Sequence, residues 1–227
     1  MDPITAVIFD FHMTLVDGGD GMAWLRQGAD RAGEPLPADA LRIGDFLADV
    51  WGHAVRFDPE GRRDLDAVQH RRVFDALVAE AAEEHGWQLS GSLVDALYAT
   101  VADQWRPYSD AVPTLAALAN SGVKVAVVSN VGIDITDLFD VHGFAEYLDA
   151  IVLSCQVGAL KPDPRIFAVA LEGLGAAPGQ TLMVGDSASA DAGAVAVGVR
   201  TLLLPPVEGP VRGLDAALRL VGVEPMA

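Results

Sequence analysis

Lysine is almost missing from this chain, and cysteine nearly so. Of 227 residues, two are lysines, Lys124 and Lys161, and one is a cysteine, Cys155; Lys and Arg together number 15 against 32 Asp and Glu. The resulting net charge of −17 repels nucleic acid and anionic membrane, so neither is expected as a partner. A lone cysteine cannot close an internal disulfide, which fits a reducing compartment, and the apolar setting of Cys155 in AIVLSCQVG predicts an inert, buried thiol. No apolar run reaches the roughly 20 residues that a membrane span needs. The opening MDPITAVIFD has no basic residues ahead of its short apolar stretch, unlike a secretory signal, and a cytoplasmic protein is expected.

What the chain has in quantity is apolar residues. A hydrophobic content of 51% with 21% charged residues is that of a folded protein, and 227 residues suffice for one large domain or a domain carrying an insert. The apolar pattern changes character along the chain. Ala6 to Phe9 read as a short buried strand that delivers Asp10 to a turn. From about Met22 to Gln104 strand signals vanish. Apolar residues there recur at helical spacing in four stretches, separated by Gly-, Pro- and charge-rich segments, which predicts an insert of about four helices. The run Asp17-Gly18-Gly19-Asp20-Gly21 that leads into it reads as a hinge.

Beyond Arg106-Pro107-Tyr108 strands and helices alternate. Strands are expected at 123–128, 150–153, 181–184 and 201–204, and helices at 111–120, 134–142, 163–174, 189–197 and about 213–221. Repeated β-α units with short loops imply a doubly wound parallel sheet of the α/β class, with helices on both faces. Residues 1–17 and 108–227 would form this core and 18–107 a helical cap inserted over the carboxyl edge of its sheet.

In open α/β sheets, chemistry gathers at the carboxyl ends of the strands. An Asp ending a strand commonly serves a turn. Asp10, however, has company at three further strand ends: Ser129-Asn130, Lys161-Pro162, and Gly185-Asp186 followed by Asp191. This ordered set resembles the haloacid dehalogenase-like hydrolase superfamily, over Asp10 to about Leu204. Members share an Asp nucleophile in a D-x-D-x-T type loop, a Ser or Thr after the second strand, a Lys and a closing acidic motif. The chain departs from the phosphatases of that superfamily in the first loop, where His12 and Met13 replace the second Asp and the usual Gly.

The resemblance implies a reaction and a set of roles. Asp10 would attack phosphorus and form an aspartyl phosphate. Asp10, Asp186 and the backbone carbonyl of His12 would hold Mg²⁺, which favours oxygen ligands and keeps several waters. Ser129, Asn130 and Lys161 would bind the phosphate of a small phosphorylated metabolite, and Thr14 would support the loop. His12 admits two readings: an imidazole with an ordinary pKa near 6.5 doing the proton work of the missing Asp, or a loop histidine left after the chemistry changed. Asp191 also admits two. The spacing GDxxxxD makes it an acidic site residue beside the metal; the shorter GDxxxD would put Ala190 there and leave Asp191 an exposed carboxylate in a first helical turn.

Two related chemistries bear comparison. Dehalogenases of the superfamily also lack the second Asp but need no metal, so Asp186 argues against a metal-independent dehalogenase. A cap lysine forming a Schiff base is excluded, because residues 18–107 contain no lysine. A catalytically idle scaffold that binds a ligand or partner is the reading from a different class. In the insert, Trp24, Arg26, His53, His70, Arg71 and Arg72 are the candidate contacts to a substrate. Aromatics at helical spacing are first of all core, and QHRR first of all a solvated face, so none is assigned. A monomer or a homodimer is expected.

Overall fold

The computed structural model describes residues 2–207 and 209–224. Met1, Glu208 and residues 225–227, all within the expected core segments, lie outside the described residues. The chain divides into two compact units, Met1–Asp17 with Pro107–Ala227, and Gly18–Arg106.

The first unit is built on five parallel strands, β1 Ala6–Phe9, β2 Lys124–Ser129, β3 Ala150–Leu153, β4 Thr181–Gly185 and β5 Arg200–Leu203, in the order β3-β2-β1-β4-β5. β1 is central, and Phe9 lies level with Val127 on one side and Val184 on the other. The chain leaves β1 toward β2 and β3, then returns to β1's other flank as β4. That reversal opens a crevice at the carboxyl ends of β1 and β4, where Asp10 and Asp186 emerge.

The central strands β1, β2 and β4 are mainly apolar because both faces are covered. Ala6, Ile8, Ala126, Val128 and Met183 pack with Ile166, Phe167 and Ala170 of a helix at Pro164–Leu174, while Val7, Phe9, Val125 and Val127 point the other way and are equally buried. On β2 lies the helix Ala111–Asn120, which also packs against Asp215–Val221.

In chain order the α-helices are α1 Gly21–Ala32, α2 Ala40–Ala48, α3 Ala67–His85, α4 Gly91–Ala99, α5 Ala111–Asn120, α6 Thr136–Val141, α7 Ser154–Val157, α8 Pro164–Leu174 and α9 Asp215–Val221. Their ends follow local chemistry. α8 starts where the Asp163 side chain accepts the Arg165 amide and Pro164 occupies the first turn, and it stops at Gly175 with φ 60°. The expected helix over 189–197 is instead a short 3-10 segment, Asp191–Val197, rich in Ala, Val and Gly.

The second unit carries α1 to α4 with three short 3-10 segments. α1 packs on α2 and α4, and a Cβ added to Gly21 would lie 2.0 Å from the Gly44 carbonyl oxygen, so glycine is what lets α1 and α2 approach. Trp24 and His70, two of the candidate contact residues, are buried here: the Trp24 indole donates to the Leu97 carbonyl at 2.9 Å, and the His70 ring lies 4.4 Å from that of Trp51. Arg71 reaches Asp75 and Asp95.

Candidate active site

Asp10 follows β1 directly, and its amide donates to the Val184 carbonyl at 2.9 Å, extending the ladder by one residue. The chain then turns tightly. The carbonyl of Phe11 accepts from the amides of Thr14, Leu15 and Val16, and the buried Phe11 ring packs 5.0 Å from that of Phe139. Met13 sits in the left-handed region at φ 61°, a conformation that suits the glycine usual in the family better than a side chain with a Cβ. The Thr14 hydroxyl donates to Oδ2 of Asp10 at 3.1 Å.

The other oxygen of Asp10 accepts from Lys161, whose Nζ lies 2.5 Å from Oδ1 and 2.7 Å from Oδ1 of Asp191. The ammonium is buried between two carboxylates. Burial alone would lower its pKa, but the charges of Asp10 and Asp191 outweigh that and hold it above the ordinary lysine value, so Lys161 is a fixed cation.

The main chain of Lys161 is fixed too. Asn130 Oδ1 accepts the Lys161 amide at 2.8 Å while Asn130 Nδ2 donates to the Lys161 carbonyl at 3.0 Å, so the carboxamide expected at a phosphate bridges to the lysine backbone. Ser129, the last residue of β2, is buried beside it, one position inside the strand that the sequence ends at residue 128.

Asp191 is fully buried, which removes its reading as an exposed first-turn carboxylate. Its Oδ2 accepts the amides of Asp186 at 3.0 Å and Ser187 at 2.9 Å, while Oδ1 holds Lys161. Asp186 is exposed; loss of solvent around its carboxyl and the charge of Asp191 raise its pKa, against the pull of Arg212 and Lys161. Asp10, Asp186 and Asp191 each offer an oxygen, all within 4.8 Å of one another. Such an all-oxygen set suits a hard divalent cation.

His12 follows in the turn, half-buried, and pairs with Val16 in an isolated bridge. Desolvation lowers its pKa, with Asp10 and Asp17 opposing the shift. Cys155 departs from expectation in being half-buried; its Sγ points to the Ile133 carbonyl, and desolvation raises its pKa, which keeps the thiol protonated. One residue of this neighbourhood went unread in the sequence. Arg212 is buried and bonded to the Met13 carbonyl, and its only signal is an arginine in a Pro- and Gly-rich loop past the last strand.

A family model of haloacid dehalogenase-like hydrolases matches residues 4–198. The chain belongs to the haloacid dehalogenase-like hydrolases. It is 31% identical over 210 residues to the glyceraldehyde 3-phosphate phosphatase of Methanopyrus kandleri, covering 87% of this chain and 84% of that one. To the ribulose-1,5-bisphosphate 5-phosphatase of Halopiger xanaduensis it is 33% identical over 218 residues, covering 90% and 86%. Its fold also matches that of L-2-haloacid dehalogenase from Xanthobacter autotrophicus, at a TM-score of 0.65 and 24% identity over 96% of this chain and 83% of the other. Asp10 and Asp186 stand at the ends of β1 and β4, whereas Lys161 lies in the loop between α7 and α8. Phosphatase relatives spanning nearly the whole chain make it a hydrolase. No helix among the described residues is long and apolar enough to cross a membrane.

Proposed function

We propose that this hydrolase is a Mg²⁺-dependent phosphatase of a small phosphorylated metabolite. The observation that carries the reading is the Asp10 carboxylate itself, bonded by Lys161 and Thr14 on its two oxygens and within 4.8 Å of an oxygen of exposed Asp186. A metal-independent dehalogenase has no use for that second carboxylate, and the two phosphatase relatives support the same choice.

Asp10 attacks phosphorus through one carboxylate oxygen. The ester P–O bond breaks, the alkoxide departs and takes its proton from solvent water, and an aspartyl phosphate remains. Lys161 balances charge on the carboxylate and then on the transferring oxygens, with the Ser129 hydroxyl and the turn amides as further donors. Thr14 keeps the carboxylate oriented. Asp10, Asp186 and the His12 carbonyl would hold the Mg²⁺, which supplies positive charge against the phosphoryl oxygens. Asp191 aims Lys161 and closes the Asp186 turn.

His12 carries the proton work in this reading. Desolvation keeps its ring neutral, which suits a base. It takes a proton from the water that attacks the aspartyl phosphate, and free phosphate and Asp10 are regenerated.

The test is release of phosphate from a panel of phosphate esters by wild type, Asp10→Asn and His12→Asp, with Mg²⁺ and with a chelator. The reading expects turnover that needs the metal, vanishes in Asp10→Asn and falls in His12→Asp. A gain of orders of magnitude in His12→Asp means that histidine is not the proton carrier. Halide release from a 2-haloacid without metal would replace the reading with dehalogenation; inactivity on the whole panel together with no thermal shift from Mg²⁺ would replace it with an idle scaffold.

A further inference from the structure

Arg212 is a buried cation with no part in the chemistry above. It is 2% exposed and lies past β5, outside the stretch that the family model matches. Among the described residues its guanidinium bonds three main-chain carbonyls: Nε to Met13 at 2.6 Å, Nη1 to Pro205 at 2.6 Å and Nη2 to Leu204 at 3.2 Å. A planar fork of five donors on three nitrogens can serve several separated, fixed acceptors at once.

The base of this side chain is itself held. The carboxylate of Asp110, ahead of α5, accepts the amides of Arg212 at 2.9 Å, Gly213 at 2.7 Å and Leu214 at 2.8 Å. The guanidinium therefore projects from a pinned segment, and its reach to Met13 spans 199 residues of sequence.

Its target is telling. Among the described residues Met13 is the one non-glycine residue with positive φ. Such a conformation persists only where the surroundings over-determine it. One neighbouring carbonyl, that of Phe11, turns inward to accept three amides, whereas the Met13 carbonyl is turned to Arg212. Without that donor a part-buried carbonyl would lose its partner, and the turn would lose a restraint one residue from His12 and three from Asp10.

We propose that Arg212 is a positioning residue: by holding the Met13 carbonyl it keeps the turn after Asp10 in the shape that presents the Asp10 carboxylate and the His12 main chain. Only the kinetic arm of its test rests on the phosphatase reading.

The experiment compares full-length wild type with Arg212→Met. Hydrogen–deuterium exchange reads the Thr14, Leu15 and Val16 amides, which bond to Phe11. The expected result is exchange about tenfold faster at those amides with β2 and α8 unchanged, and a kcat on a phosphate ester lowered about ten- to a hundredfold at little-changed KM. Exchange altered only over residues 204–214, or KM raised at unchanged kcat, overturns the proposal by making Arg212 a strut for its own segment. If Arg212→Met does not fold, Arg212→Lys is read the same way, since the three carbonyls are met by three separate nitrogens of a planar fork and a single ammonium cannot span them. If wild type hydrolyses no phosphate ester, the phosphatase reading falls and the exchange result alone decides the positioning role.

Discussion

Gly185 and Asp191 approach so closely that a Cβ on the glycine would lie 2.1 Å from Oδ2 of the aspartate. The same oxygen takes the Asp186 and Ser187 amides, and its twin holds Lys161. A methyl group here displaces Asp191 and, through it, the lysine. Gly185→Ala is expected to lose about 1–3 kcal/mol of stability, the cost of overpacking, and about tenfold or more in turnover. Urea denaturation and phosphate release check the pair; a variant as active as wild type would mean that Asp191 does not aim Lys161.

Removing the cation should be worse than removing either anion. Lys161→Met leaves Asp10 and Asp191 buried without their counter-charge, at about 3–5 kcal/mol. Adding Asp191→Asn removes one of the stranded charges, so the double variant should be more stable than the two single losses summed. The denaturation midpoints of the four proteins in the cycle measure this directly.

The depressed pKa of His12 has a sign in the pH profile. A base whose pKa is lowered stays neutral to lower pH, so the acid limb of kcat should fall below 6.5 rather than at it, and a bound cation shifts it further the same way. A rate profile on a substrate with a good leaving group decides: an acid limb centred at or above 6.5 contradicts the role given to the ring.

In the helical unit, desolvation pushes the Asp64 carboxyl up to about 6, with Arg63 opposing and Asp58 assisting. A folded-state pKa above the unfolded one makes stability greatest below the unfolded value, and it declines as pH rises from about 4 to about 6. Asp64→Asn avoids burying that charge. It should raise the melting temperature at pH 7.5, by up to about 3 kcal/mol in stability, and leave it nearly unchanged at pH 4. An equal change at both values would point to packing instead.

What the sequence made legible was local. The strands β1, β2 and β4 are buried on both faces and so read as apolar runs, and the residue that ends each is adjacent in the chain: Asp10, Ser129 and Asp186 needed only that. The presence of lysine at 161 in a lysine-poor chain was equally plain. Asp191 was ambiguous because spacing counts residues and not oxygens; its burial and its bond to Lys161 exist only once β4 and the loop after β3 are brought together. The 3-10 segment at Asp191–Val197 was read as a full helix because its apolar spacing resembles one. Arg212 was unreadable, since nothing near residue 212 announces a carbonyl at residue 13.

The two lysines now divide into opposite fates. Lys124 opens β2 with its side chain 57% exposed, whereas that of Lys161 is 2% exposed and held as a cation. An acylating dye or an activated resin therefore finds one reactive ε-amine. That amine sits at the end of β2 away from Ser129, so coupling through side-chain amines tethers the protein by the rim opposite its carboxylates.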